Sequence, residues 1–241
     1  MLNLALDTTA TTATVALLEN DEAVASFHIN KELKHSETLL PMIDAVLNFV
    51  QKSIDEVELI SISAGPGSFT GVRIGVSCAK GLSYDKNIPI ASVSTLEALA
   101  ENVRGFRNFE KEEVILCPSM DARRDELYNA LFLFNGSEIK RITPDRAISC
   151  DDLQKELLSY NKTVYILGDG GRKLYDYLKD SNSGVQFYPV PKSICMQNAE
   201  SVGRVGYHKY KEGGLINAEK LSCVYLRASQ AERNLKEEKQ K

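Results

Sequence analysis

The chain opens on strict alternation. Leu2, Leu4 and Leu6 share one face of a strand that ends at Asp7, the polar run Thr8-Thr9-Ala10-Thr11-Thr12 follows, and Val15 to Leu18 with an Asn20-Asp21 turn completes a β-hairpin meander. The period then changes. From His35-Ser36-Glu37-Thr38 to Val50 the apolar positions recur at helical spacing, with Thr38 as the expected cap and Pro41 in the first turn, where its missing N–H is harmless. Val57, Leu59, Ile60 and Ile62 form a short apolar strand that feeds Gly65-Pro66-Gly67-Ser68-Phe69-Thr70-Gly71-Val72-Arg73-Ile74-Gly75, and a second helix follows. Strand, tight turn and helix in that order define an α/β unit.

Both helices carry apolar arcs wider than a single contact needs. Leu39, Leu40, Met42, Ile43, Val46, Leu47, Phe49 and Val50 spread over about 180° of the first, and Val72, Ile74, Gly75, Val76, Cys78, Ala79 and Leu82 over about 200° of the second, against the roughly 100° that one-sided packing requires. The second helix is also rich in small residues, Gly71, Gly75, Ala79 and Gly81, and each interior glycine costs ~1 kcal/mol relative to alanine. These arcs predict a face made for another helix pair, contacted through Leu39, Leu40, Ile43, Val46, Leu47 and Val50 on the first helix and Gly71, Arg73, Ile74 and Cys78 on the second. A charge at Val46, mid-arc, is expected to abolish pairing and spare the fold. Cover by the C-terminal half of the same chain is the alternative.

The second half repeats the first in outline. After the strand Pro89–Val93 and a helix from Thr95 to Arg104, the aperiodic segment Gly105–Glu112 is the expected domain boundary, giving domains 1–108 and 109–227 and a charged tail 228–241. Val114–Cys117 leads to Asp121, Leu127–Phe134 ends in an Asn135-Gly136 turn, a helix spans Asp151–Tyr160, and the strand Thr163–Leu167 closes on Gly168-Asp169-Gly170-Gly171 before another helix. Asp121 parallels Asp7, and this glycine turn parallels Gly65–Gly67. The recurrence predicts a duplicated α/β fold with a cleft between the copies, followed by a helix from Asn198 to Tyr210.

Composition narrows the functions. A net charge of −4, a pI near 5.6 and 43% hydrophobic residues describe a soluble globular protein with no general nucleic-acid or membrane surface. Five scattered cysteines without a Cys-x-x-Cys pair fit a reducing cytoplasm, and the start of the chain lacks the basic and apolar regions of a signal peptide. The glycine turn is not a Walker loop, because Val72-Arg73 follows Gly71 where Lys-Ser or Lys-Thr belongs, and Thr70 replaces the third glycine of a dinucleotide fingerprint. Ser77 in Gly75-Val76-Ser77-Cys78-Ala79 lies inside a helix rather than at a nucleophile elbow. His28, His35 and His208 lack metal-ligand spacing. Asp7 ends its strand where a sugar-kinase ATPase holds magnesium, yet threonines and alanine replace the expected glycines, so a role in accepting turn amides competes with catalysis.

The opening Leu4-Ala5-Leu6-Asp7-Thr8 with Val15-Ala16-Leu17, His35-Ser36-Glu37 with Leu40-Pro41, the run Gly65–Gly75, and Asp121-Ala122-Arg123 with Tyr128 together resemble the TsaB (YeaZ) family, the dimerisation subunit of the bacterial tRNA threonylcarbamoyladenosine transferase complex. Tyr225-Leu226-Arg227 resembles a family end-motif without its preceding proline. The resemblance implies an actin-like, Hsp70-like (ASKHA) duplicated fold with a degenerate nucleotide site, vestigial at Asp7, Asp121, Gly168, Asp169 and Gly170, and no metal or catalytic residue. It implies pairing of the first two helices with a TsaD-type transferase subunit, work alongside a TsaE-type ATPase that brings ATP and magnesium, indirect contact with tRNA, and a homodimer when the chain is alone. The complex transfers threonylcarbamoyl to N6 of the adenosine 3′ of the anticodon in tRNAs reading A-starting codons, and the chain is expected to be its scaffold. The competing readings are an ATP-dependent phosphotransferase using Asp7 and Asp121, and a hydrolase using Ser77.

Overall fold

Both halves of the chain build a sheet of the same internal order. In the computed structural model, which describes residues 1–31, 33–104, 113–123, 125–181 and 184–227, the first sheet contains β1 (Leu2–Asp7), β2 (Thr12–Glu19), β3 (Glu22–Asn30), β4 (Leu59–Ser63) and β5 (Ile90–Val93) in the order β3-β2-β1-β4-β5. β1, β4 and β5 run parallel, and β2 is antiparallel to β1 with Leu4 opposite Leu17. The second sheet contains β6 (Val114–Asp121), β7 (Glu126–Asn129), β8 (Phe132–Phe134), β9 (Ile139–Arg141), β10 (Arg146–Ser149), β11 (Val164–Leu167) and β12 (Phe187–Pro189). Its main path is β10-β7-β6-β11-β12, with β8 and β9 branching from β6. The duplication predicted from the two strand–turn–helix series is therefore a duplication of sheet topology. The expected boundary at residues 105–112 and the tail 228–241 lie outside the described residues.

Helices sandwich the first sheet. α1 (His35–Phe49) and α2 (Phe69–Lys86) cover the face bearing Leu2, Leu4, Leu6, Val15, Leu17, Ile60 and Ile62. α3 (Thr95–Glu101) and α7 (Ala199–Lys211) cover the other, where Ala5, Ala16 and Val93 leave room for Val202 and Val205. Buried Asn3 crosses that layer with both polar atoms satisfied: Ser61 Oγ donates to its Oδ1 at 2.8 Å, and its Nδ2 donates to the Gly203 carbonyl at 2.9 Å. α7 thus lies late in the chain yet packs on the first sheet. On the second sheet, α4 (Cys150–Ser159) and α5 (Gly171–Leu178) bury Leu153, Leu157, Leu174 and Leu178, and α6 (Lys192–Cys195) is a single turn. A further core joins the halves, with Ala10, Leu96, Leu99, Ala100 and Val103 against Val114, Leu116, Phe132, Phe134 and Leu167.

α1 differs from its sequence expectation at its start. It begins at His35 rather than after Thr38, Lys34 precedes it without a side-chain cap, and Pro41 lies inside the helix. The His35 ring explains the early start, because its Nε2–H donates to the Ala10 carbonyl at 2.8 Å and tethers the first helical residue to the β1–β2 turn.

The small residues of α2 divide into two groups. Thr8 Oγ1 donates to the Gly71 carbonyl at 2.7 Å, and a Cβ at Gly71 would stand 2.0 Å from the Thr8 carbonyl oxygen. One at Gly75 would stand 2.6 Å from Thr8 Oγ1. These glycines exist because the β1–β2 turn lies against the helix. Gly81 has no such reason, since a Cβ there meets nothing within 4 Å. Gly71→Ala is therefore expected to destabilise the chain by about 1–3 kcal/mol through overpacking against backbone, whereas Gly81→Ala should stabilise it by about 0.5–1 kcal/mol through helix propensity. Urea denaturation of the two variants beside wild type reads both signs.

Candidate partner groove and interdomain cleft

Of the residues assigned to a partner face, four belong to the chain's own core. Leu39, Ile43, Val46 and Leu47 are buried beneath α1 against the first sheet, and Gly71 is buried under Thr8. Val50 is half-buried and packs at the edge of the same core. The arcs are wide because a helix lying on a sheet beside a second helix has two neighbours, one below and one alongside, and both need apolar surface. A glutamate at Val46 would place an unpaired carboxylate in this core, so it disrupts the fold and does not isolate pairing.

What remains open is a groove of about 650 Å³ between α1 and α2. Leu40, 53% exposed, forms one wall, and the half-buried Ile74, Cys78 and Leu82 form the floor. Cys78 serves there as a small apolar side chain, burial having pushed its thiol up to about 11. The outward row of α2 is Arg73, Ser77 and Gly81, one residue per turn. Ser77 is thus a surface residue of this row.

Arg73 stands at one end of the groove inside an aromatic clamp. Its guanidinium carbon lies 3.7 Å from the Phe69 ring centroid and 5.7 Å from that of Tyr225, and its Nε–H donates to the Tyr225 hydroxyl at 2.8 Å. Tyr225 arrives on a segment that ties the halves together. Val224 N–H donates to the Ala64 carbonyl at 2.7 Å, and Arg227 reaches the Ala122 carbonyl at 3.0 Å and the Glu126 carboxylate at 2.6 Å.

Behind the clamp, a cleft of about 770 Å³ opens between the halves. Thr9, Gly67, Ser68, Asp121, Arg123, Asp169, Tyr225 and Arg227 line it, but Asp7 does not. Asp7 is fully buried, its Oδ1 accepting from Thr9 N–H at 2.8 Å and Thr9 Oγ1 at 2.7 Å and its Oδ2 accepting from Ser63 Oγ at 2.6 Å. Burial raises its pKa above the ordinary 3.8 despite these donors. The turn-accepting role is the one the geometry gives it.

The second glycine turn is equally closed. Gly168 N–H donates to the Cys195 carbonyl at 2.8 Å and Gly170 N–H to the Ser119 carbonyl at 3.0 Å, so neither amide is free for a phosphate. In the first turn Ser68 N–H donates to the Thr9 carbonyl at 2.6 Å. Of the five positions assigned to a vestigial nucleotide site, only Asp121 and Asp169 reach the cleft. Although much of Asp169 is exposed, protein packed around its carboxyl and the nearby Asp121 carboxylate raise its pKa to about 6. A phosphoryl group needs converging amides or cations, and the Gly168, Gly170 and Ser68 amides are directed to protein carbonyls instead. Sequence reasoning missed Phe69 and Tyr225 as the clamp on Arg73 and Arg227 as the tie to the second half; the Tyr225-Leu226-Arg227 motif was the available signal.

This is a duplicated actin-like (ASKHA-type) α/β protein with a closed second glycine turn and an open groove between its first two helices. The family model for TsaD, tRNA N6-adenosine threonylcarbamoyltransferase, matches residues 30–213. The tRNA threonylcarbamoyladenosine biosynthesis protein TsaB of Haemophilus influenzae is 37% identical over 240 residues, covering 93% of this chain and 92% of the relative. That of Bacillus subtilis is 34% identical over 168 residues, 70% and 71% of the two chains. A Pseudomonas aeruginosa protein described as similar to peptidase YeaZ superposes with a TM-score of 0.79 at 25% identity, covering 94% of this chain and 99% of that one. The chain belongs to the TsaB (YeaZ) family.

The buried role of Asp7 has a direct test. Asp7→Asn keeps an Oδ1 acceptor for Thr9 and a polar partner for Ser63, so the chain should fold; Asp7→Ala strands three buried donors and should cost at least about 2 kcal/mol. Because the folded pKa is raised, wild type is expected to lose stability as pH rises from about 4 towards that pKa, and Asp7→Asn to reduce this slope to the part that Asp169, also raised, contributes. Denaturant midpoints between pH 4 and pH 7 measure both effects.

Proposed function

We propose that the chain acts in tRNA threonylcarbamoyladenosine biosynthesis as a non-catalytic scaffold that docks a TsaD-type transferase subunit in the α1–α2 groove. The observation that carries this reading is Gly81: it weakens α2, a Cβ there would meet nothing within 4 Å among the described residues, and it sits in the outward row beside an open apolar groove. A helix of the partner crossing there would use the missing side chain for close approach. Family membership supports the pathway, because the relatives carry its name. The buried, fully bonded Asp7 and the occupied turn amides weigh against the phosphotransferase alternative. In this reading ATP and magnesium enter through a TsaE-type ATPase and the transferase, tRNA meets the assembly rather than this chain alone, and the complex works in the cytoplasm. Without its partner the same face is open to a second copy, a weaker pairing.

Gly81→Trp tests the surface without touching the core. The variant should keep the wild-type circular dichroism spectrum and lose at least about a hundredfold in affinity for the purified transferase subunit of the same genome, measured by calorimetry, while Lys155→Ala on the distant α4 keeps wild-type affinity. Unchanged binding by Gly81→Trp would remove the groove from the interface.

A further inference from the structure

Resting on the groove reading, we infer that Arg73 is a preset receptor for a carboxylate on the docking helix, two turns from the point of closest approach at Gly81. Arg73 is the sole Lys, Arg, Asp or Glu among the groove's lining residues. Its side chain is exposed, and among the described residues no carboxylate lies within ion-pair distance of it. Its one hydrogen bond is through Nε to the Tyr225 hydroxyl, so the four N–H groups of its terminal nitrogens find no acceptor among the described residues.

The clamp makes this more than a solvated surface cation. An arginine free in water samples many rotamers, and ordering it on binding opposes affinity. Here the Phe69 face, the Tyr225 ring and the tyrosine hydroxyl hold the guanidinium before any partner arrives. Fixing Nε towards Tyr225 leaves the edge formed by the two terminal nitrogens for bidentate pairing with a carboxylate. The aromatic faces also shield one side of the pair from water, and docking against the apolar groove removes more, which strengthens a matched charge and penalises an unmatched one.

Charge also chooses between occupants. A second copy docked groove to groove brings another Arg73 and no lining carboxylate, and Glu37, the acid of the first turn of α1, already pairs with Lys34 at 2.9 Å. Self-pairing leaves both guanidiniums unmatched. A partner helix with an acid at one end of its contact face matches the groove better. Arg73 and Gly81 are eight residues apart, about 12 Å along α2 at 1.5 Å per residue, so the acid should lie about two turns from the small residue that meets Gly81.

The test compares Arg73→Gln, Arg73→Lys and Gly81→Trp for affinity to the purified transferase subunit at about 50 mM and about 500 mM salt, with sedimentation of each chain alone. Arg73→Gln should melt near wild type and bind at least about tenfold more weakly at low salt, with the gap narrowing at high salt and Arg73→Lys recovering part of the loss. If Gly81→Trp abolishes binding and Arg73→Gln binds like wild type at both salts, the carboxylate inference is wrong and the groove reading stands. If Gly81→Trp binds normally, the groove reading itself fails. If Arg73→Gln weakens only self-association of the chain, the cation serves a second copy and the inference is overturned.

Discussion

The contact on which the rest of the molecule depends is the one between the Thr8-Thr9 turn and the N-terminal end of α2. Thr8 lies so close to the helix that residues 71 and 75 have no room for a side chain, and Thr9 takes an amide from Ser68. Asp7 holds this turn from below by accepting from Thr9 twice and from Ser63 once. The consequences run in three directions. α2 is pulled down onto β1 and β4, its outward row is fixed towards solvent, and the Ser68 amide of the glycine turn is taken by the Thr9 carbonyl. One local packing arrangement thus fixes both the course of the turn and the row of α2 that faces solvent.

The halves are equally constrained relative to each other. Ala10 and the α3 residues Leu96, Leu99 and Ala100 share a core with Leu116, Phe132 and Phe134, and the segment from Val224 to Arg227 ties Ala64 in the first half to Ala122 and Glu126 in the second. A hinge around the cleft would have to break apolar burial and these bonds together.

Much of this was legible in the sequence. The change from period two to helical spacing located the meander and the first two helices, and the paired strand–glycine–helix series exposed the duplication before either sheet was seen. Other features depend on partners distant in the chain. Periodicity measures how wide an apolar arc is but not which part faces the sheet, so Leu39, Ile43, Val46 and Leu47 read as a partner face when they are core. Asp7 and Ser63 are 56 residues apart, and only the pairing of β1 with β4 makes the aspartate structural. Gly71 and Gly81 look alike in a list of small residues. Their meanings separate only once Thr8 is found beside one and open space beside the other.

The groove and the cleft are not independent cavities. His35, Phe69 and Thr70 line both, and Tyr225, which walls the cleft, holds the arginine of the groove. A helix seated in the groove therefore presses on the same side chains that border the cleft, and the Tyr225–Arg227 segment carries that contact to the β6–β7 turn. The Gly168 and Gly170 amides and the Asp7 carboxylate are taken up by protein partners, so the cleft and the groove are linked through the side chains they share rather than through a turn open to both.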